Sequence, residues 1–331
     1  MKIGMMKEVD DVKIIDTHCD ALYKLQGAKR KQLMDPDFEP LRFYNSEQLD
    51  TNLNRLQKGQ VMVQFFAIFI EPDLPSDEKW QHVLEQIDVF HTEILHPHLP
   101  TKQIKNWTEI DRLEDGEIGV ILALEGADGF GNDLAKLRQL YREGVLSVGL
   151  TWNHANLCAD GVGEPRGAGL TELGREVVAL NNENKIFTDV SHASVKTFWD
   201  ILERADYPIA SHSNARELCD HPRNLTDDQV EALFQNNGLV HLVFHPPFIN
   251  DDREQATLSD VVRHLDHLCS LGGKKRVGFG SDFDGISTFV KDLEDASHYQ
   301  NLINELLKYY SEDEVKGFAH QNFLDNLPSK K

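Results

Sequence analysis

Residues 14–22 read IIDTHCDAL, an apolar run that ends in a histidine, a cysteine and an aspartate. In an extended strand alternate side chains lie on the same face, so His18 and Asp20 are expected on one face and Cys19 on the other. One face of this strand end therefore presents an imidazole and a carboxylate together. Cys19 is expected to be a small buried residue between the strand and a helix.

Further short segments rich in Val, Ile, Leu and Phe follow, each continued by a longer polar or amphipathic stretch. This alternation is typical of a parallel sheet whose strands are joined by crossover helices. The predicted strands begin at Val12, Val61, Ile118, Leu146, Ile186, Tyr207, Gly238 and Arg276. The predicted helix caps are Ser46, Thr171, Ser194, Thr226 and Thr257. Eight strand and helix units favour a (β/α)8 TIM barrel over an open doubly wound sheet, which commonly has fewer strands.

The barrel is expected to form a single domain over residues 1–331, a size at which α/β barrels commonly fold as one unit. Residues 71–110 are expected to add helices outside the barrel, and residues 291–327 indicate a C-terminal helical tail packed on it. The glycine-rich segment 153–170 predicts an irregular loop over one mouth. Its GxG pattern does not open a helix directly after a strand, which argues against a dinucleotide site.

The composition excludes several classes of partner. A formal net charge of −21, from 34 basic and 55 acidic side chains, would repel nucleic acid and anionic membrane surfaces. Residues 1–13 lack the apolar core of a secretion signal, and no run approaches the ~20 apolar residues of a membrane span. The four cysteines are scattered without a CxxC pair, so reduced thiols and a cytoplasmic location are expected.

Side chains able to bind a metal or to act in catalysis fall at the ends of six predicted strands. They are His18 with Asp20, Glu125, Asn153 with His154, His192, His212, and Asp282. The carboxyl ends of barrel strands meet at one mouth, so these residues are expected to lie together. Neutral imidazoles and carboxylates are good zinc ligands, and three histidines with three carboxylates exceed the needs of one four-coordinate ion. Two ions bridged by Glu125 and a hydroxide would use the whole set, and paired ions are a known device for hydrolysis.

Each of these residues also has an ordinary structural alternative. His192 could be a hydrogen-bonded residue at a strand end, Asp20 and Glu125 could cap helices, and Asp282 or Asp284 could satisfy a turn. The metal-site interpretation is favoured because all of them fall at the same predicted end of different strands. Other histidines indicate solvated helix faces, namely His82, His91, His96, His98, His264 and His267. The role of His245, in the segment HPPF, is left open.

Seven motifs occur in order between about Ile14 and about Asn322: DTHCD, ALEG, LTWNHAN, DVSHAS, ASHSNAR, HPRNLTDD and GFGSDFDG. In this combination the chain resembles the membrane dipeptidase (renal dipeptidase) family of zinc peptidases, within the amidohydrolase superfamily of barrels. It resembles a soluble bacterial-type member, without the secretion signal and lipid-anchor tail of the mammalian ones. The middle residue of HCD and the histidine of FHPPF depart from the family pattern, which bears on pocket shape.

The resemblance implies two Zn2+ per chain. His18 and Asp20 would bind one ion, His192 and His212 the other, and Glu125 would bridge them. Two further residues would bind substrate: His154 at its carbonyl and Arg223 at its carboxylate. An ion pair of Arg223 with Asp227 or Asp228 is the alternative for that guanidinium.

The implied reaction is hydrolysis of a dipeptide to two free amino acids, with Asp282 passing the proton of the attacking hydroxide to the leaving amine. Acceptance of a D-residue at the C-terminal position and homodimer formation are implied by the resemblance alone. Two alternatives stay open. One is another binuclear amidohydrolase, acting on a cyclic amide, a lactam or an N-acyl amino acid. The other is a non-catalytic metal-binding protein.

Overall fold

The structure, a computed structural model, describes residues 12–328. The expectation that no secretion signal is present concerns residues 1–13, of which residues 1–11 lie outside the described residues. The described strands form one parallel sheet: β1 Ile14–Asp16, β2 Val61–Phe69, β3 Thr101–Gln103, β4 Ile118–Glu125, β5 Val145–Gly149, β6 Phe187–Asp189, β7 Pro208–Ala210, β8 Leu239–Leu242 and β9 Val277–Phe279. Around the barrel the order is β2, β1, β9, β8, β7, β6, β5, β4, and β4 pairs back onto β2. This closure confirms the predicted (β/α)8 TIM barrel and all eight predicted strands.

The short strand β3 lies outside the barrel ring and was not predicted. Its three residues pair with Ile118–Val120 at the start of β4, while β5 pairs with the end of β4. Of the three, only Thr101 is buried, so the segment TKQ has neither the apolar character nor the alternation that indicates a strand. It lengthens the sheet at the end of the barrel away from the carboxyl mouth.

Helices connect the strands and cover the outside of the barrel. The α-helices are α1 Ala21–Met34, α2 Leu53–Lys58, α3 Ser76–Val89, α4 Leu134–Glu143, α5 Glu172–Glu183, α6 Val195–Leu202, α7 Asp227–Gln235, α8 Leu258–Ser270, α9 Tyr299–Leu306, α10 Glu312–Lys316 and α11 Asn322–Asp325. Four of the predicted caps accept a hydrogen bond from the first turn of their helix: Thr171, Ser194, Thr226 and Thr257. Ser46 does not, because α2 begins later, behind the cap Asn52. That residues 1–331 form one domain stays a prediction.

A buried cluster inside the barrel closes its amino end. Phe323 of α11 places its ring 5.7 Å from the ring of Phe65 and 5.9 Å from that of Phe187. Trp107 packs on the rings of both Phe187 and Phe323. The apolar plug leaves the carboxyl ends of the strands as the open end of the barrel. Among the helices of residues 12–328, none combines the length and the apolar character needed to cross a lipid bilayer.

Candidate metal and substrate site

The segment after β1 places His18 among three carboxylates. His18 Nε2 lies 3.4 Å from Asp20 Oδ2, 3.7 Å from Glu125 Oε2 and 3.8 Å from Asp282 Oδ1. His18 and Asp20 are buried, and within residues 12–328 neither His18 Nε2 nor Asp20 Oδ1 makes a hydrogen bond. Cys19 between them is buried in the layer between barrel and helices, as expected. The strand itself ends at Asp16, so His18 and Asp20 lie just beyond it, and the structure brings the two side chains together.

Two further imidazoles approach the other oxygen of Glu125. His192 Nε2 lies 3.0 Å and His212 Nε2 lies 3.9 Å from Glu125 Oε1, and the two nitrogens are 3.0 Å apart. His192 donates its Nδ1–H to Asn153 Oδ1 at 2.8 Å. Both rings therefore follow β6 and β7 and converge on the carboxylate that ends β4, as the strand-end pattern predicted.

The second imidazole is oriented by a chain of polar side chains. His212 Nδ1 lies 2.7 Å from Ser211 Oγ, and the Ser211 hydroxyl donates to the carboxylate of Asp189. Because that hydroxyl hydrogen is committed to Asp189, His212 donates its Nδ1–H to Ser211 Oγ. Like His192, His212 then presents an unprotonated Nε2 to the site, which is how metal-binding histidines are commonly held.

These donor atoms fit metal ions. Two Nε2 lone pairs that face each other at 3.0 Å repel unless a cation lies between or beside them. Among residues 12–328, two groups of three side chains each have one ligand atom per residue within 4.8 Å of the others. They are His18 with Glu125 and His212, and His18 with Asp20 and Asp282. Mixed nitrogen and oxygen donors of this kind suit Zn2+ and related ions.

The electrostatics of the site indicate the same need for positive charge. Burial lowers the pKa of His18, but the carboxylates of Glu125, Asp20 and Asp282 outweigh it and raise that pKa to about 10. Burial and the neighbouring Asp20 raise the pKa of Glu125 well above its usual range. Burial, followed by the positive charges of Arg223 and His18, holds the pKa of His192 well below its usual range. The carboxylates thus draw a proton to His18 where a metal ion would otherwise supply the charge.

The loop after β9 adds Asp282 to the cluster through an uncommon backbone conformation. Asp282 has φ 65°, and its N–H donates to the carbonyl of His18 at 3.2 Å. A Cβ on Gly285 would lie 2.2 Å from Asp20 Oδ2 and 2.7 Å from Asp282 Oδ1. A glycine at position 285 is therefore needed for the two carboxylates to keep their places.

Asp284, for which satisfying a turn was the structural alternative, instead connects two segments that are far apart in the sequence. Its buried carboxylate accepts hydrogen bonds from the backbone N–H of Asp50 at 2.9 Å and of Thr51 at 3.1 Å. Lys24 Nζ also donates to it at 2.9 Å. Asp284 thereby fixes the loop after β9 to the segment before α2.

A cavity of about 740 Å3 opens above the cluster at the carboxyl ends of the strands. Its wall includes the predicted residues Asp20, Glu125, His154, His192, Arg223 and Asp282. His154 is exposed on this wall, and His18 and His212 lie beneath it. The wall also contains side chains that the sequence reading did not assign to a site, among them Tyr23, Phe69, Glu71, Trp152, His221 and Phe248. Four of these, Tyr23, Phe69, Trp152 and Phe248, are aromatic side chains of types that a search for metal ligands does not select.

Arg223 is a buried cation without a carboxylate partner. It is 7% exposed, its Nη2 donates to the carbonyl of His212 at 3.3 Å, and its Nε has no partner. The guanidinium lies 5.5 Å from the centroid of the Phe248 ring. Within residues 12–328 no carboxylate oxygen lies within 4.0 Å of it, and Asp227 instead accepts a hydrogen bond from His267 Nε2 at 2.8 Å. The alternative ion pair with Asp227 or Asp228 is therefore not formed.

His245 also lines the cavity. Its ring meets Phe248 edge-on at 4.7 Å, and its Nδ1 has no hydrogen-bond partner among the described residues. Burial, followed by the nearby His221 and Arg223, lowers the pKa of His245 to about 4, so it is neutral at pH 7. Its function stays open.

Comparison with known proteins agrees with this geometry. The chain is 33% identical over 337 residues to a dipeptidase of Schizosaccharomyces pombe described as uncharacterised, covering 94% of this chain and 79% of that protein. It is 34% identical over 284 residues to the dipeptidase aclJ of Aspergillus oryzae, covering 82% of this chain and 67% of that protein.

A solved structure is similar over nearly the whole fold. It is the metallopeptidase of Rhodobacter sphaeroides, with a phosphinate mimic of the dipeptide L-Ala-D-Ala bound to it. The TM-score is 0.87 at 26% identity, covering 97% of this chain and 100% of that one. The family model of the membrane dipeptidases matches residues 6–328. With its barrel, its cluster of histidines and carboxylates and this match, the chain belongs to the membrane dipeptidase family, Peptidase family M19.

Proposed function

We propose that this chain hydrolyses a dipeptide to two free amino acids with two zinc ions. The observation that carries the proposal is Arg223, whose buried, unpaired guanidinium shares one cavity with the cluster of histidines and carboxylates. A guanidinium fork pairs well with a carboxylate, so it would hold the free C-terminus of a short peptide. The dipeptide mimic bound to the Rhodobacter sphaeroides relative supports a substrate of this size.

The two oxygens of Glu125 support its assignment as the bridging ligand. Oε2 faces His18, whereas Oε1 faces His192 and His212. His18 and Asp20 would hold one ion, and His192 and His212 the other. When bound, the zinc ions supply Lewis acidity and lower the pKa of the attacking water.

Asp282 and His154 would handle the proton and the developing charge. Asp282 Oδ1 lies 3.8 Å from His18 Nε2 on the cavity wall, where a carboxyl can act as a general acid and base. It would take the proton of the attacking water and give it to the leaving amine. His154, exposed on the cavity wall, would donate a hydrogen bond to the carbonyl oxygen as negative charge develops there.

The test is amino-acid release from a panel that contains L-L and L-D dipeptides, a tripeptide and an N-acetylated dipeptide, before and after chelation and zinc restoration. We expect zinc-dependent cleavage that is confined to free dipeptides. Two bound zinc ions without release from any dipeptide would contradict the proposal and favour another amidohydrolase substrate or a binding role.

The carboxylate role of Arg223 is tested separately with Arg223→Met. We expect kcat/KM on Ala-Ala to fall about ten- to hundredfold, the loss typical of a hydrogen bond to a charged group, while zinc content is kept. The exposed Arg138, on α4, provides the control Arg138→Met, which should leave kcat/KM unchanged. An unchanged kcat/KM in Arg223→Met would remove the carboxylate role. Homodimer formation, acceptance of a D-residue and a cytoplasmic location stay predictions.

A further inference from the structure

The order of the barrel strands places two parts of the cavity on opposite sides. Counted around the ring in either direction, β2 is four places from β7, so the two strands face each other across the mouth. Arg223 follows β7 and Glu71 follows β2, and both line the cavity. A dipeptide whose C-terminal carboxylate is held by Arg223 therefore extends its N-terminal residue toward Glu71.

A continuous aromatic wall connects the cluster to Glu71. The ring of Trp152 lies 6.2 Å from that of His192, the ring of Phe69 lies 5.2 Å from Trp152, and Tyr23 lies 5.4 Å from Phe69. Tyr23 then donates its hydroxyl hydrogen to Glu71 Oε1 at 2.6 Å. Phe69 is also paired in register with Glu125, so this wall starts at the candidate bridging carboxylate.

Glu71 is a carboxylate with room for a cation. Within residues 12–328 no Lys, Arg or His nitrogen lies within 4.0 Å of its carboxylate, and Tyr23 occupies only one of its oxygens. Burial and the charge of Glu71 raise the pKa of Tyr23 to about 12, so the phenol stays a donor. Aromatic faces beside a carboxylate form a favourable surface for the aliphatic stem and charged head of Lys or Arg.

Lys24 is a cation on this side of the cavity, and its charge is already neutralised by two carboxylates. Lys24 Nζ lies 2.9 Å from Asp284 Oδ1 and 3.4 Å from Asp50 Oδ2. Together with Glu71, these two carboxylates outnumber the single ammonium group. A second positive charge would therefore meet a net negative field here.

We propose, resting on the dipeptidase function above, that Glu71 with the wall of Tyr23, Phe69 and Trp152 selects dipeptides whose N-terminal residue has a cationic side chain. The aliphatic stem lies along the aromatic wall and the ammonium or guanidinium group binds the free oxygen of Glu71. Glu71 is in this sense a specificity-determining residue and takes no part in the chemistry.

The experiment compares kcat/KM of the zinc-loaded enzyme for Lys-Ala and for norleucine-Ala, which differ in the terminal ammonium group. We expect the wild type to prefer Lys-Ala by about tenfold, the lower end expected for a hydrogen bond to a charged group. In Glu71→Gln the ratio of the two kcat/KM values should fall to about one. In Glu71→Lys it should fall below one, because like charges then meet. Glu176→Gln, an exposed change on α5, is the matched control and should keep the wild-type ratio.

The outcomes separate this inference from the function on which it rests. Release from both dipeptides with a wild-type ratio near one overturns the inference alone. A wild-type preference that Glu71→Gln keeps, with both kcat/KM values lowered equally, also overturns it, because Glu71 would then bind the α-ammonium group that all dipeptides share. No release from either dipeptide by the zinc-loaded wild type overturns the proposed function together with this inference.

Discussion

Asp282 lies in a strained backbone conformation beside the candidate metal ligands. This position fits a metal ligand and a proton carrier equally well. Asp282 lies 3.8 Å from His18 Nε2 in a left-handed conformation, and a residue other than glycine adopts φ 65° only at a cost of about 1–3 kcal/mol. Strain of this kind is commonly found at functional sites. The proton-carrier role predicts that losing the acid-base group leaves the metal ligands nearly intact.

Asp282→Asn is the variant that tests this role. We expect zinc content near that of the wild type and a turnover number lower by about 10²- to 10⁴-fold, the usual contribution of general acid-base catalysis. Zinc per chain is measured by elemental analysis and turnover with Ala-Ala. Retained turnover with intact metal would remove Asp282 from the mechanism. Loss of zinc would instead show that Asp282 acts mainly as a metal ligand.

At this scale the sequence predicted the polar cluster better than the rest of the cavity wall. His18, Glu125, His192 and His212 were found because strand ends converge and because their side chains are metal-ligand types. Phe69 and Trp152 were not singled out, since an aromatic residue next to a strand is usually a core residue. Glu71 stands at the start of a segment that the sequence assigned to the outside of the barrel.

At the scale of elements, periodicity located the strands but not all of the helix ends. Strands such as β4, with eight residues of nearly continuous burial, stand out by their apolar runs. The start of α2 was placed too early because the stretch from Ser46 is polar and helix-compatible. Asn52 caps the helix there through a local hydrogen bond to Arg55 N–H that no periodicity reveals.

Helix α1 carries Tyr23 and Lys24 to the cavity and contains a glycine that its geometry does not require. Gly27 lies on the exposed side of α1, and a Cβ there would meet no atom within 4 Å. We therefore expect Gly27→Ala to raise the free energy of unfolding by about 0.5–1 kcal/mol through helix propensity. The measurement is urea unfolding at a fixed zinc concentration.

The contrasting variant is Gly59→Ala at the end of α2, where the new Cβ would lie 1.9 Å from the carbonyl oxygen of Ala296. That change should lower the free energy of unfolding, because a backbone atom must move. If Gly27→Ala also destabilised the protein, α1 would have a close neighbour that the structure does not show.

At the scale of the whole molecule, the barrel topology determines by which end ligands reach the site, and the net charge determines which ligands are attracted to it. The plug around Phe323 closes the amino end of the barrel, so ligands enter by the carboxyl end. A net charge of −21 favours the approach of cations, including divalent metal ions and dipeptides with a basic side chain. Composition predicted this field, but only the closed ring of strands places Glu71 opposite Arg223 within it.

Metal binding is expected to affect the stability of the entire barrel. The candidate ligands after β1, β4, β6 and β7 converge on one site, so metal ions that bind there would link strands from around the ring. An ion that binds only the folded state stabilises it by RT ln(1 + [L]/Kd), about 2.7 kcal/mol at a free concentration 100 times Kd. We therefore expect chelation to lower the Tm by several degrees, and zinc to restore it and to raise it further as free zinc increases.

Differential scanning calorimetry of the chelated protein at increasing free zinc measures this effect. Magnesium is the control ion, because it prefers all-oxygen octahedral sites and should raise the Tm much less. Glu125→Gln is the control variant, and its zinc-dependent rise should be smaller because the residue that faces both halves of the site has lost its charge. A Tm that does not depend on zinc in the wild type would mean that these strand ends hold no zinc ion, and the dipeptidase proposal would then lack the metal on which its chemistry depends.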